Sequence, residues 1–130
     1  MTENQGEALR VAAAYHEAWA GGDLERAMTY VADDVVCDAP AGRIEGARAY
    51  REFMGPFGGM LRGAELLAAF GDDETALVMY DTETALVPSA PGAEWVTVRD
   101  GKIVRSRFLF DRLPFQEARA AQEARAAQQG

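Results

Sequence analysis

From Glu7 to Ala20 the residues Leu9, Ala12, Tyr15 and Trp19 recur at spacings of three and four, the stripe of an amphipathic helix. Gly21-Gly22 ends it. Asp23 then stands where an N-cap belongs, and Leu24, Met28 and Val31 form one face of a second helix. Asp33-Asp34 breaks that pattern, and Val35 to Asp38 predicts a short strand running into a turn at Pro40-Ala41-Gly42. A third helix, from about Gly46 to Met54, presents Tyr50, Phe53 and Met54 before Gly55 to Gly59 closes it. Beyond it the period changes to two. Glu65 to Phe70, Thr75 to Val87, Glu94 to Arg99 and Lys102 to Asp111 read as strands. Asp100-Gly101 between two alternating runs is a hairpin signal. Helices followed by antiparallel strands predict an α+β fold, with the helices on one face of a curved sheet.

The last segment departs from both periods. Gln116 to Ala121 repeats at once as Gln122 to Ala127, each Gln-Glu-Ala-Arg-Ala-Ala, with no large apolar residue after Phe115. This divides the chain into a domain over 1–115 and a tail over 116–130, helical or disordered and solvated. A chain of 130 residues holds one domain and one core. A net charge of -8 and the lack of a Lys/Arg block argue against nucleic acid as a partner. The single cysteine, Cys37, has no internal disulfide partner, which suits a reducing, cytoplasmic setting. Met1 to Gln5 has neither the basic nor the apolar run of a signal peptide, and no apolar window approaches the ~20 residues of a membrane helix.

Candidate chemistry sits on the carboxylates. Parity divides the strand Thr75 to Val87 into a face with Leu77, Met79, Asp81 and Glu83 and a face with Val78, Tyr80, Thr82 and Thr84. Neither face is cleanly polar, so Asp81 and Glu83 either take the wet side or enter a cavity whose opposite face forms a subunit contact. Glu94 shares a face with Val96 and Val98, and is either a solvated strand start or a second pocket acid. Asp111 and Asp38 fit turn formers as well as pocket acids. Tyr15 and Trp19 lie one helical turn apart, as core aromatics or as a pocket wall with a phenol donor. His16 and Cys37 lack the partners of a nucleophilic pair, and Arg107 fits a surface ion pair.

Tyr15-His-Glu-Ala-Trp-Ala-Gly-Gly-Asp23, Ala32-Asp-Asp-Val-Val-Cys-Asp38, Ile44-Glu-Gly46, Arg99-Asp-Gly-Lys-Ile103 and Phe110-Asp111 together resemble the nuclear transport factor 2-like superfamily. Within it the chain is similar to the SnoaL-like polyketide cyclase group, with kinship to ketosteroid isomerase and limonene epoxide hydrolase. The resemblance runs from about Glu7 to Phe115. It implies a cystatin-like cone: N-terminal helices on a strongly curved, mainly antiparallel sheet that encloses a pocket, commonly in a homodimer. Against ketosteroid isomerase it implies Asp38 as general base, with Tyr15 and Glu94 as oxyanion-hole donors. Against limonene epoxide hydrolase it implies Asp81 and Asp111 as the catalytic carboxylates, although Met79 stands where the bridging arginine belongs. Trp19, Phe53, Met54, Phe57, Met79, Glu83 and Phe108 would contact the ligand.

Three functions fit these readings. The first is a cofactor-independent isomerase or cyclase acting on an apolar cyclic ketone or polyketide-like substrate by proton transfer. The second is a non-catalytic binder of a small hydrophobic or cationic metabolite, and the third an enzyme like an epoxide hydrolase. Nothing in the sequence has the spacing of a metal or nucleotide motif, so neither a metal nor a cofactor is expected, nor a membrane partner.

Overall fold

The computed structural model describes residues 6–129, so the segment read for a signal peptide and the last residue of the tail lie outside the described residues. Helix α1 (Glu7–Ala20) buries Ala8, Val11, Ala12, Tyr15, Ala18 and Trp19 along one face, while Leu9 is only half-buried. Its first turn is satisfied by the distant turn at Asp72. The N–H groups of Ala8 and Leu9 both donate to the Asp72 carbonyl, at 3.0 and 3.4 Å. Gly6 makes this possible: its φ is 89°, and a Cβ there would stand 2.2 Å from the Asp72 carbonyl carbon.

Asp23 caps α2 (Leu24–Met28) by accepting from the Arg26 N–H at 3.0 Å. This helix is shorter than the periodicity predicts. The Tyr30 carbonyl is taken by the Ile103 N–H at 2.7 Å, so sheet pairing claims the chain before Val31. Strand β1 (Val31–Ala39) therefore begins earlier than expected and turns through Pro40-Ala41 into β2 (Gly42–Glu45), which the sequence did not reveal. Helix α3 (Ala47–Met60) runs on through Pro56 and three glycines. There the half-buried side chains of Phe57 and Met60 line a cavity, although local propensity alone disfavours a helix.

Four strands follow: β3 (Leu61–Gly71), β4 (Thr75–Thr84), β5 (Ala90–Arg99) and β6 (Lys102–Phe110). β4 stops at Thr84 rather than Val87 because the Thr84 hydroxyl accepts from the N–H groups of Leu86 and Val87, at 3.2 and 2.9 Å. The β5–β6 hairpin turns at Asp100-Gly101, with φ of 54° and 76°, as that dipeptide predicts. Helix α4 (Leu113–Gln129) ends the described chain.

The sheet order is β2-β1-β6-β5-β4-β3, with β1 parallel to β6 and the other pairs antiparallel. The sheet is mainly antiparallel, as expected, but the expected strongly curved cone is corrected. The sheet is mixed and open, with β2 and β3 as free edges, and it is neither closed nor strongly curled. α1 packs across β3, β4 and β5, and α3 against β1 and β2, so the core lies between the helices and one sheet face. No described helix is long and apolar enough to cross a membrane.

Candidate functional site

The strand register decides which side chains meet. On β4 the residues Val78, Tyr80, Thr82 and Thr84 face the helices and are buried, whereas Leu77, Met79 and Glu83 are exposed and Asp81 is half-buried on the other face. The expected placement of Met79, Asp81 and Glu83 in the cavity is therefore reversed. Tyr80 and Thr82 occupy it instead. Across the outer face, register aligns Asp38, Arg107, Trp95, Leu77 and Phe70 in one row. Asp38 thus points away from the core, where Arg43 Nε donates to it at 2.9 Å and Arg105 lies at 3.6 Å. The Arg43 hydrogen bond holds its carboxyl below the usual range, opposite to what a buried general base needs.

Two of the other outer acids also have hydrogen-bond partners. Asp81 accepts from the Ser89 hydroxyl at 3.0 Å, and Asp111, exposed, accepts from the Leu113 N–H at 3.0 Å at the start of α4. Asp38, Asp81, Glu83 and Asp111 do not share a cavity. Neither Asp81 nor Asp111, the pair that a hydrolase reading requires, lines the cavity beside α3.

A cavity of about 260 Å³ opens between α3, the inner sheet face and α4. Its wall includes the expected Phe53, Met54, Phe57 and Phe108, together with Tyr80 and Phe115. Trp19 stands behind this wall, edge-on to Phe57 and Tyr80 with ring centroids 6.0 and 5.2 Å away. Tyr80 is buried and its hydroxyl has no hydrogen-bond partner among the described residues. Thr82 donates its hydroxyl to the Ala90 carbonyl at 2.8 Å, so of these two buried hydroxyls only that of Tyr80 is unpaired among the described residues. Gly92 sits opposite Tyr80 in the register and leaves room for its ring; a Cβ there would approach Cε1 to 3.0 Å.

Glu94 lies next to the cavity, paired across the sheet with Phe108 and Val78. It is 2% exposed. The Ser106 hydroxyl donates to Oε2 at 2.5 Å and the Tyr50 hydroxyl at 3.4 Å, while Tyr15 donates in turn to Tyr50. Burial pushes the Glu94 carboxyl up to about 7, against the lowering effect of those two donors. Burial and the neighbouring carboxylate also hold both tyrosines well above the usual phenol range. The structure therefore brings Tyr15 and Glu94 together through Tyr50, which sequence reasoning did not include.

Two further groups border this network. Cys37 is buried near Ser106 and Glu94, and desolvation pushes its thiol up to about 12, so it stays protonated. His16 packs between Trp19 and Tyr80, and burial lowers its value, favouring neutral imidazole. Among the described residues no group of three or more His, Cys, Asp or Glu side chains is placed to hold a metal ion.

Strand parity was the available signal for Tyr80 and Thr82, once one face of β4 is known to be buried. Ser106 carried no such signal. Between Ile103 and Arg105 a bulge in β6 shifts the parity, so that Ile103 and Ser106 both face inward.

Comparison with known proteins bears on this arrangement. The family model for the SnoaL-like domain matches residues 12–106. A solved protein from Kribbella flavida DSM 17836 is 56% identical over 90% of this chain and 97% of its own, with a TM-score of 0.88. A proposed polyketide cyclase from Xanthomonas campestris pv. campestris is 23% identical, covers 87% of this chain and 96% of its own, and has a TM-score of 0.70. Another from Sinorhizobium meliloti is 20% identical over 77% of this chain and 94% of its own, with a TM-score of 0.68. These last two likenesses concern the fold alone. No curated protein matches the chain.

Proposed function

The chain belongs to the SnoaL-like domain family, and from that premise we propose that it binds a small apolar molecule bearing a carbonyl or hydroxyl oxygen. The observation that carries this reading is the aromatic cavity of about 260 Å³, whose wall includes Tyr80, a buried residue with a hydroxyl unpaired among the described residues. An apolar cavity of ~150 Å³ already holds benzene, so this volume suits a fused-ring body. Among the described residues no carboxylate lines the cavity, which argues against a cationic metabolite. The test compares 2-naphthol with naphthalene by calorimetry. Wild type should favour 2-naphthol, and Tyr80→Phe should reduce that preference by about fivefold, the worth of one hydrogen bond. Equal affinity for the two in wild type would remove Tyr80 as the anchor.

A catalytic reading rests on Glu94 rather than Asp38. Its carboxyl, with a value of about 7, can carry or release a proton near neutrality beside the cavity-lining Phe108. On this reading the pocket exchanges protons α to a carbonyl, the step common to isomerases and cyclases. Solvent deuterium exchange into 2-tetralone measures it. Glu94→Gln should abolish the protein-dependent rate; an unchanged rate would eliminate Glu94 as the acid-base group.

We also propose a homodimer through the outer sheet face. Phe70, Leu77, Met79, Trp95 and Leu109 are each 47% exposed or more and lie on adjacent register rows. Arg105 and Arg107 flank them on β6, and Glu65, Asp81 and Glu83 flank them on β3 and β4. A two-fold contact would set each basic flank against the partner's acidic flank, which identifies a second copy as the occupant.

A further inference from the structure

Resting on the pocket reading above, we propose that the ligand is an amphipathic anion, its apolar body in the cavity and its carboxylate or similar head at the mouth on Arg112 and Arg119. Among the described residues, these two arginines are the only charged side chains that line the cavity. Arg112 stands at the cap just before α4, where its carbonyl accepts from the Gln116 N–H at 3.0 Å, and Gln116 and Arg119 follow on α4 one turn apart, with buried Phe115 anchoring the helix. All three residues line the cavity, and all three are exposed, which puts them at its mouth.

Neither arginine forms an ion pair with a described residue, whereas Arg43, Arg48, Arg51 and Arg105 each do. The acid next to Arg112 in sequence, Asp111, already accepts from the Leu113 N–H. Two uncommitted cations at the mouth of an aromatic cavity contrast with a molecule whose net charge is -8. The long-range field repels anions, so any preference for an anion must originate at this rim. The planar guanidinium fork matches a carboxylate.

The test uses the full chain with 2-naphthaleneacetate and its neutral analogue 2-naphthaleneacetamide, measured by calorimetry at low salt. The carboxylate should bind about tenfold tighter than the amide, and added salt should erode that margin. Arg112→Gln/Arg119→Gln should erase the margin while leaving amide binding in place. Arg125→Gln, which alters the corresponding arginine of the second Gln-Glu-Ala-Arg-Ala-Ala copy outside the cavity wall, should retain it. Equal binding of the two probes, or a margin that survives the double substitution, overturns the anion proposal while the pocket reading stands. Failure of both probes to bind overturns both.

Discussion

Glu94 is stabilised in the core by two hydroxyl donors rather than by a cation, and this gives it a distinct pH signature. Below its ordinary value of 4.5 the carboxyl is protonated in both folded and unfolded chains, and its full contribution to stability is present. Between 4.5 and about 7 the unfolded chain releases the proton while the folded chain retains it. Stability from this group therefore falls as pH rises through that window and levels off above it. His16, lowered by burial, acts in the opposite sense, losing stability as pH falls below 6.5. The difference between wild type and Glu94→Gln isolates the carboxyl: melting temperatures across pH 4 to 8 should show a downward slope in wild type that the variant lacks. Parallel profiles would mean that Glu94 titrates normally. Gly92 supplies a second residue-scale prediction. The Cβ of Gly92→Ala would meet Tyr80 Cε1 at 3.0 Å and the Leu109 carbonyl oxygen at 3.2 Å. The ring must tilt, with a destabilisation of about 1–3 kcal/mol in chemical unfolding and weaker ligand binding.

At the scale of elements, α4 combines two roles within one helix. Its first two turns supply Phe115, Gln116 and Arg119 to the cavity, whereas the residues from Ala120 to Gln128 are exposed. The tandem repeat conceals this difference, because both copies have the same composition and only the first lies next to Phe115. Truncation after Ala121 should leave binding of 2-naphthol within about twofold of wild type, whereas truncation after Arg112 should weaken it at least tenfold. If the shorter chain binds as well as the full one, α4 is dispensable to the pocket. β4 offers the complementary case. Its alternation was legible from sequence, but alternation has no sign, and Asp81 and Glu83 proved to be on the outer side. Asp81→Asn should consequently leave ligand affinity unchanged.

For the whole molecule, the two sheet faces divide the work. The inner face carries the Tyr80 cavity and the Glu94 network, and the outer face carries an exposed apolar surface with flanks of opposite charge. Trp95 is 52% exposed at the centre of that surface, beside Leu77. Trp95→Glu in both copies would bury like charges at a two-fold contact, so sedimentation velocity should report a dimer for wild type and a monomer for the variant. A monomeric wild type at micromolar concentration would dismiss the dimer. Ligand binding by the monomeric variant then separates the two faces functionally.

The sequence by itself determined the local structure: the stripe of α1, the Asp23 cap, the Asp100-Gly101 hairpin and the period-two strands, each set by contacts within a few residues. The family likeness added Tyr15, Glu94 and the aromatic wall to the candidate site. Only the tertiary structure decided which face of each strand is buried, because that depends on register with distant strands. The β1–β2 pairing set Asp38 opposite Arg43, the parallel β1–β6 pairing brought Arg105 to it, and the β6 bulge brought Ser106 inward. The carboxylates visible in the sequence were thus mostly solvated by the fold. Glu94 alone among the five candidate acids kept its place in the core, held by hydroxyls from α3 and β6 that no local pattern could bring together.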